Sequence, residues 1–165
     1  MPQTLTDYKT ELEALMHDVW VSIEKLGEKL VRADKDLSGE DNRVLRAWLR
    51  TWWTEADLNA AMAVGRGELD ARLFPHGTRN SKVMALPAAD QKRLLSDERF
   101  PVYNNFGGSD KRTWAEMTPD QRNRLLASKA GRILTLEQQK PPGGPTDKIT
   151  VYESASFHQG VFRIS

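Results

Sequence analysis

Residues 12–33 read LEALMHDVWVSIEKLGEKLVRA, and within them Leu12, Met16, Val19, Ile23, Leu26 and Leu30 recur at alternating steps of four and three. Leu5 and Ala33 extend the row, and polar residues fill most positions between. Such steps return a side chain to the same side of a helix, so the spacing predicts one amphipathic helix from about Asp7 to Ala33. In heptad terms Met16, Ile23 and Leu30 fall at a, and Leu12, Val19 and Leu26 at d. Two uses of the stripe follow. It packs against the chain's own later helices, or it forms the seam of a homodimer, with Trp20 beside it widening either contact.

Downstream, Asp34-Lys-Asp-Leu-Ser-Gly39 interrupts the pattern. It resembles the opening of a calcium-binding EF-hand loop, but Asp41 stands where an apolar residue belongs and Leu45 where a bidentate Glu is required. The segment therefore reads as a link between helices, and no metal is expected. A second helix is predicted from about Asp41 to Trp53, with Val44, Leu45, Trp48, Leu49 and Trp52 on one side and Arg43, Arg46 and Arg50 on the other. Trp48, Trp52 and Trp53 crowd six residues. Each buries a large apolar area if it is core, and any left exposed becomes a candidate anchor for a protein partner.

Thr54-Glu-Ala-Asp57 carries an N-cap signal and opens a short helix holding Leu58, Ala61, Met62 and Val64. Gly65-Arg-Gly67 predicts a turn, and Glu68 to Leu73 a further short helix that Phe-Pro-His-Gly77 stops. Beyond it, Pro87 suits the first turn of a helix to about Ser96. Pro101-Val-Tyr103 and Lys111-Arg-Thr-Trp114 flank a Gly-rich turn and predict a β-hairpin. Thr118-Pro-Asp-Gln121 predicts a capped helix to about Ala130 that ends at Gly131, and Thr135-Leu-Glu-Gln138 a brief last helix. Pro141-Pro-Gly-Gly-Pro145 reads as a linker, followed by strand-like Ile149–Tyr152 and Val161–Ile164. The expected fold is mainly α: a helical bundle with a helix-turn-helix-like segment and a small β-hairpin component. Its regions are 1–77 (long helix plus trihelical unit), 78–140 (helix, hairpin, helix) and 141–165 (linker and arm).

The 165 residues are 39% hydrophobic and 28% charged, enough for a packed core. With no cysteine, disulfides, thiolate nucleophiles and cysteine-ligated metals are excluded. His17, His76 and His158 lie far apart, and no phosphate loop, dinucleotide fingerprint or G-x-S-x-G elbow occurs. No catalytic residue and no cofactor is expected, and the chain reads as a binding protein rather than an enzyme. The N-terminus has no basic segment followed by an apolar run, and no stretch approaches the roughly 20 apolar residues of a membrane span, so a cytoplasmic location is expected. Charge is uneven. Met1 to Gly65 holds 8 Lys/Arg against 12 Asp/Glu, whereas Arg66 to Lys140 holds 14 against 9.

Residues 54–74 resemble helix-turn-helix DNA-binding proteins. Leu58, Ala61 and Met62 would face inward from the first helix, Val64 would close the turn, and Leu69 and Leu73 would hold the second helix down. The 41–53 helix would complete a trihelical core. The chain departs from the family at Ala63, where Gly usually opens the turn, and at Leu73, one position late. Glu68 and Asp70 also oppose phosphate. The resemblance implies DNA as partner, with Arg66, Arg72, Arg79 and Lys82 as contacts, in a transcriptional regulator or architectural factor whose dimer spans two half-sites. A second possible surface combines Arg122, Arg124, Ser128, Lys129 and Arg132 with Tyr103, Phe106 and Trp114 as stacking neighbours. The rival expectation is a protein-binding adaptor or inhibitor acting on a larger complex through Trp48, Trp52 and Trp53.

Overall fold

A computed structural model describes residues 2–16, 22–127 and 131–142. It is mainly helical with one two-stranded antiparallel hairpin. The chain divides into two compact units at Ala71 and Arg72, a few residues before the boundary that composition suggested.

In the first unit the long predicted helix is two. Helix α1 spans Leu5–Met16 and α2 spans Ile23–Asp36. Ser22 starts α2, its hydroxyl accepting the amide of Glu24. The preceding sequence, His-Asp-Val-Trp-Val, consists of weak helix formers, so continuation had little local support. The two helices fold back on one another. Asp36, at the end of α2, accepts from the hydroxyl of Tyr8 and the amide of Gln3, while Lys29 sits 3.1 Å from Glu11. Leu12, Leu26, Leu30 and Ala33 consequently meet in one core at 3% exposure or less. Leu12, Ile23, Leu26, Leu30 and Ala33 are thus used inside the unit, the first of the two uses the stripe left open, and Val19 lies outside the described residues.

Helix α3 (Gly39–Leu49) begins at Ser38, which accepts the amide of Asp41, and α4 (Glu55–Gly65) begins at a reciprocal capping box between Thr54 and Asp57. Helices α2 and α4 cross where neither carries a side chain. A Cβ built on Gly27 would lie 2.1 Å from the carbonyl oxygen of Ala61, and one on Gly65 would lie 2.5 Å from that of Gly27. Glycine permits this approach, and Leu45, Leu49, Trp53, Leu58 and Ala61 close the core around it.

The helix expected at Glu68–Leu73 is not formed. The amides of Glu68 and Leu69 both return to the carbonyl of Ala63, ending α4, and only Ala71–Leu73 makes a single 3-10 turn. Pro75 disfavours helical backbone at Phe74, which leaves too few residues for an α-helix.

The second unit holds α5 (Asn80–Met84), a helix the sequence did not announce, and α6 (Ala88–Leu95) after Pro87. Strands β1 (Phe100–Tyr103) and β2 (Ser109–Arg112) pair with Phe100 opposite Arg112 and Tyr103 opposite Ser109. Helix α7 (Pro119–Leu125) opens with the predicted Thr118–Gln121 capping box but stops earlier than expected. Leu126 is extended and bridges Ile133, and the amide of Leu134 returns to the carbonyl of Leu125 at 2.7 Å. A 3-10 turn, Leu136–Gln138, follows. The core gathers Val83, Leu94, Phe100, Val102, Trp114, Met117 and Leu125. The expected linker from Gly143 and both late strands lie outside the described residues.

Candidate functional site

Helix α3 sorts its three tryptophans by periodicity. Leu45 and Leu49 are fully buried, and Trp53 joins them at 1% exposure. Val44, Trp48 and Trp52 follow at steps of four on the flank of that stripe. Trp48 and Trp52 stay partly exposed, and Val44 is 40% exposed. Beyond Leu49 the chain continues as turns, with Thr51 donating its amide and its hydroxyl to the carbonyl of Trp48. That arrangement sets the Trp52 ring against Trp48, centroids 4.6 Å apart and planes at 77°, an edge-to-face pair. Such geometry adds on the order of 1 kcal/mol beyond the area it covers. Lys9 from α1 places its ammonium 5.7 Å from the Trp48 ring. Arg46 and Arg50 both reach Glu55, at 3.3 and 2.6 Å, and Arg43 pairs with Glu40. The result is a partly exposed aromatic pair with Lys9 beside it, while the arginines of α3 lie on the opposite flank of the helix, paired with Glu40 and Glu55. Trp53 is corrected from anchor to core.

The four cations assigned to DNA are divided between the two units. Arg66 follows α4 in the first unit and sits 3.1 Å from Asp34, both about half exposed. Arg72, Arg79 and Lys82 belong to the second unit. Arg72 is exposed there. Lys82 is buried at 8% exposure, its ammonium donating to the carbonyl of Asn123 at 2.6 Å. Asn123 is a junction: its amide group donates to the carbonyls of Gly77 and Pro119, and its side-chain oxygen accepts the backbone amide of Arg79. Lys82 therefore serves the interior and is removed from any phosphate surface. Nothing in the sequence near Lys82 signals this, because its partner lies 41 residues away.

The second cationic surface also turns inward. Arg122 is buried and donates to the carbonyls of Trp114 and Ala115. Burial pushes its guanidinium down to about 10. Arg124, likewise buried, pairs with Asp120 at 2.7 Å and donates to the carbonyl of Lys140. Trp114 is core, Tyr103 is partly buried, and Ser128 and Lys129 lie outside the described residues. Arg132 is exposed. Asp34 and Asp36, which suggested the start of a calcium loop, belong to α2 and are engaged by Arg66 and Tyr8. Among the described residues, no three His, Cys, Asp or Glu side chains converge as a metal site, and no helix is long and apolar enough to cross a membrane.

No family model, curated protein or solved structure matches the chain. The site rests on its own geometry.

Proposed function

We propose that the protein acts by binding another protein through the Trp48–Trp52 pair of α3. The observation that carries this reading is the edge-to-face pair left partly exposed beside Val44, instead of being absorbed into a core that took Leu45, Leu49 and Trp53. Partly exposed tryptophans are frequent anchors of protein interfaces. The partner presents an apolar side chain that covers both rings, with an acidic or polar group within reach of Lys9.

Around the Trp48–Trp52 pair, charge disfavours DNA: residues 1–71 carry 9 Lys/Arg against 14 Asp/Glu, a balance that repels phosphate there. The helix that would enter a groove is not formed and Lys82 is committed inside, which leaves the DNA reading without its recognition element and with one cation fewer.

The test uses the full chain as bait in an extract of its source cells, with wild type, Trp48→Ala/Trp52→Ala and Arg72→Glu compared by quantitative mass spectrometry. Duplex-DNA anisotropy is measured alongside, across a salt series. The expected result is a partner whose capture falls at least about tenfold in the tryptophan variant and is unchanged in Arg72→Glu. Equal capture by the tryptophan variant overturns the proposal. So does duplex binding that weakens steeply with salt and is lost in Arg72→Glu.

A further inference from the structure

Lys9, half-buried on α1, sets its ammonium 5.7 Å from the centre of the Trp48 ring. The other cations of the first unit are either paired or in open water. Lys29 and all five arginines meet carboxylates within 3.3 Å, and Lys25 and Lys35 are exposed. Lys9 is therefore the one half-buried cation of this unit with no carboxylate against it among the described residues. Acids do flank it along α1. Asp7 accepts the amide of Thr4, and Glu11 is held by Lys29 and Gln3. Glu13, one turn on, is exposed, yet the ammonium lies over the ring instead of pairing with it.

That position constrains whatever covers the tryptophans. An apolar group seated on the Trp48 ring displaces water from the ammonium beside it. A desolvated charge is costly unless an opposite charge reaches it. The ring supplies only a weak attraction, so the counter-charge has to arrive with the group that does the covering. The net negative charge of the unit does not oppose this at close range, because exposed charges more than about 8 Å away are largely screened at physiological salt.

Resting on the reading of Trp48–Trp52 as a partner site, we propose that the partner segment carries a carboxylate side chain within about four residues of its large apolar anchor, and that Lys9 is the residue that selects it. The apolar side chain covers the rings and the carboxylate takes the ammonium. The spacing follows from the 5.7 Å between ring and cation. Side chains three or four residues apart on a helix lie about 5–6 Å from one another, and those two apart on a strand about 7 Å. A segment with the anchor but no acid buries Lys9 uncompensated and binds at least about tenfold more weakly.

Selection from a phage-displayed library of random dodecapeptides on the immobilised full chain tests this. Wild type, Trp48→Ala/Trp52→Ala, Lys9→Gln and Lys9→Glu each serve as bait, and the selected peptides are resynthesised for affinity measurement. Peptides that need both tryptophans are expected to carry Asp or Glu close to Trp, Phe or Leu. They should bind Lys9→Gln about tenfold more weakly than wild type, and Lys9→Glu should select Lys or Arg where wild type selects the acid. Lys9→Gln adds no charge to α1, so it carries the test if Lys9→Glu loosens the helix. Tryptophan-dependent peptides that lack the acid, or that bind Lys9→Gln as tightly as wild type, overturn the assignment of Lys9 and leave the partner site standing. A library that yields no tryptophan-dependent peptide overturns both.

Discussion

Replacing Gly27 with Ala plants a methyl group 2.1 Å from the carbonyl oxygen of Ala61, 3.1 Å from its carbonyl carbon and 3.0 Å from the amide nitrogen of Gly65. All three are backbone atoms of α4, so no rotamer change relieves the clash. The helices must separate by about 1 Å or more, loosening Leu26, Leu30, Leu58 and Ala61, all buried. Overpacking a tight interior costs about 1–3 kcal/mol, and the upper end applies where the obstacle is backbone. Against that stands about 1 kcal/mol of helix propensity gained by Ala over Gly. The net expectation is a loss of about 2 kcal/mol, or roughly 8–16 °C in the midpoint of a unit this size. Urea and thermal unfolding, followed by the fluorescence of buried Trp53, measure it. Gly39→Ala is the control: a Cβ there meets nothing within 4 Å, and the midpoint should hold or rise slightly. If Gly27→Ala raises the midpoint as an exposed helix position would, the reasoning about the α2–α4 crossing fails.

Two further outcomes follow from buried polar groups. Asn123→Ala strands the amide of Arg79 and the carbonyl of Gly77, and should cost about 2 kcal/mol or more in urea unfolding of the second unit, at roughly 1–3 kcal/mol per stranded group; a loss below 1 kcal/mol would show that water replaces the junction. Burial first, and then the hydrogen bond to Asp36, raise the Tyr8 hydroxyl above its ordinary value of 10.0. The neutral form is thus favoured by folding, and its contribution is intact below pH 10 and lost as pH rises above it. Tyr8→Phe lacks that dependence, so its stability deficit against wild type should shrink between about pH 9 and 11 in paired urea titrations; a constant deficit contradicts the assignment.

Features written within four residues of one another were legible in the sequence. The boxes at Thr54 and Thr118 need only a hydroxyl and a partner three residues on, and both formed where expected. The hairpin was likewise announced by its Gly-rich turn. The stripe named Leu12, Ile23, Leu26 and Leu30 as core, where they are, but as one helix rather than two. Periodicity records which side is apolar and is nearly blind to a break that reverses the chain. The α3 stripe named a side too broad by one column, since Val44, Trp48 and Trp52 sit at the margin that Leu45 and Leu49 leave uncovered. The cations were the least legible. Whether Lys82, Arg122 or Arg124 faces water depends on carbonyls that only the folded chain supplies. Phe106, expected among the stacking neighbours of the second cationic surface, lies in the loop beyond the ladder, where no cross-strand neighbour exists.

The Asn123 junction bears on how this sequence can drift. Gly77, Arg79 and Pro119 converge on a single short amide that donates twice and accepts once through its side chain, a combination that Asp, Ser or Leu cannot reproduce. The exposed arginines tolerate exchange for lysine or loss, because their ion pairs stand in water. Distant descendants of a common ancestor would thus diverge fastest in the charges that first draw the eye. Their kinship would be retained in an asparagine near the end of a short capped helix and in two glycines at a helix crossing.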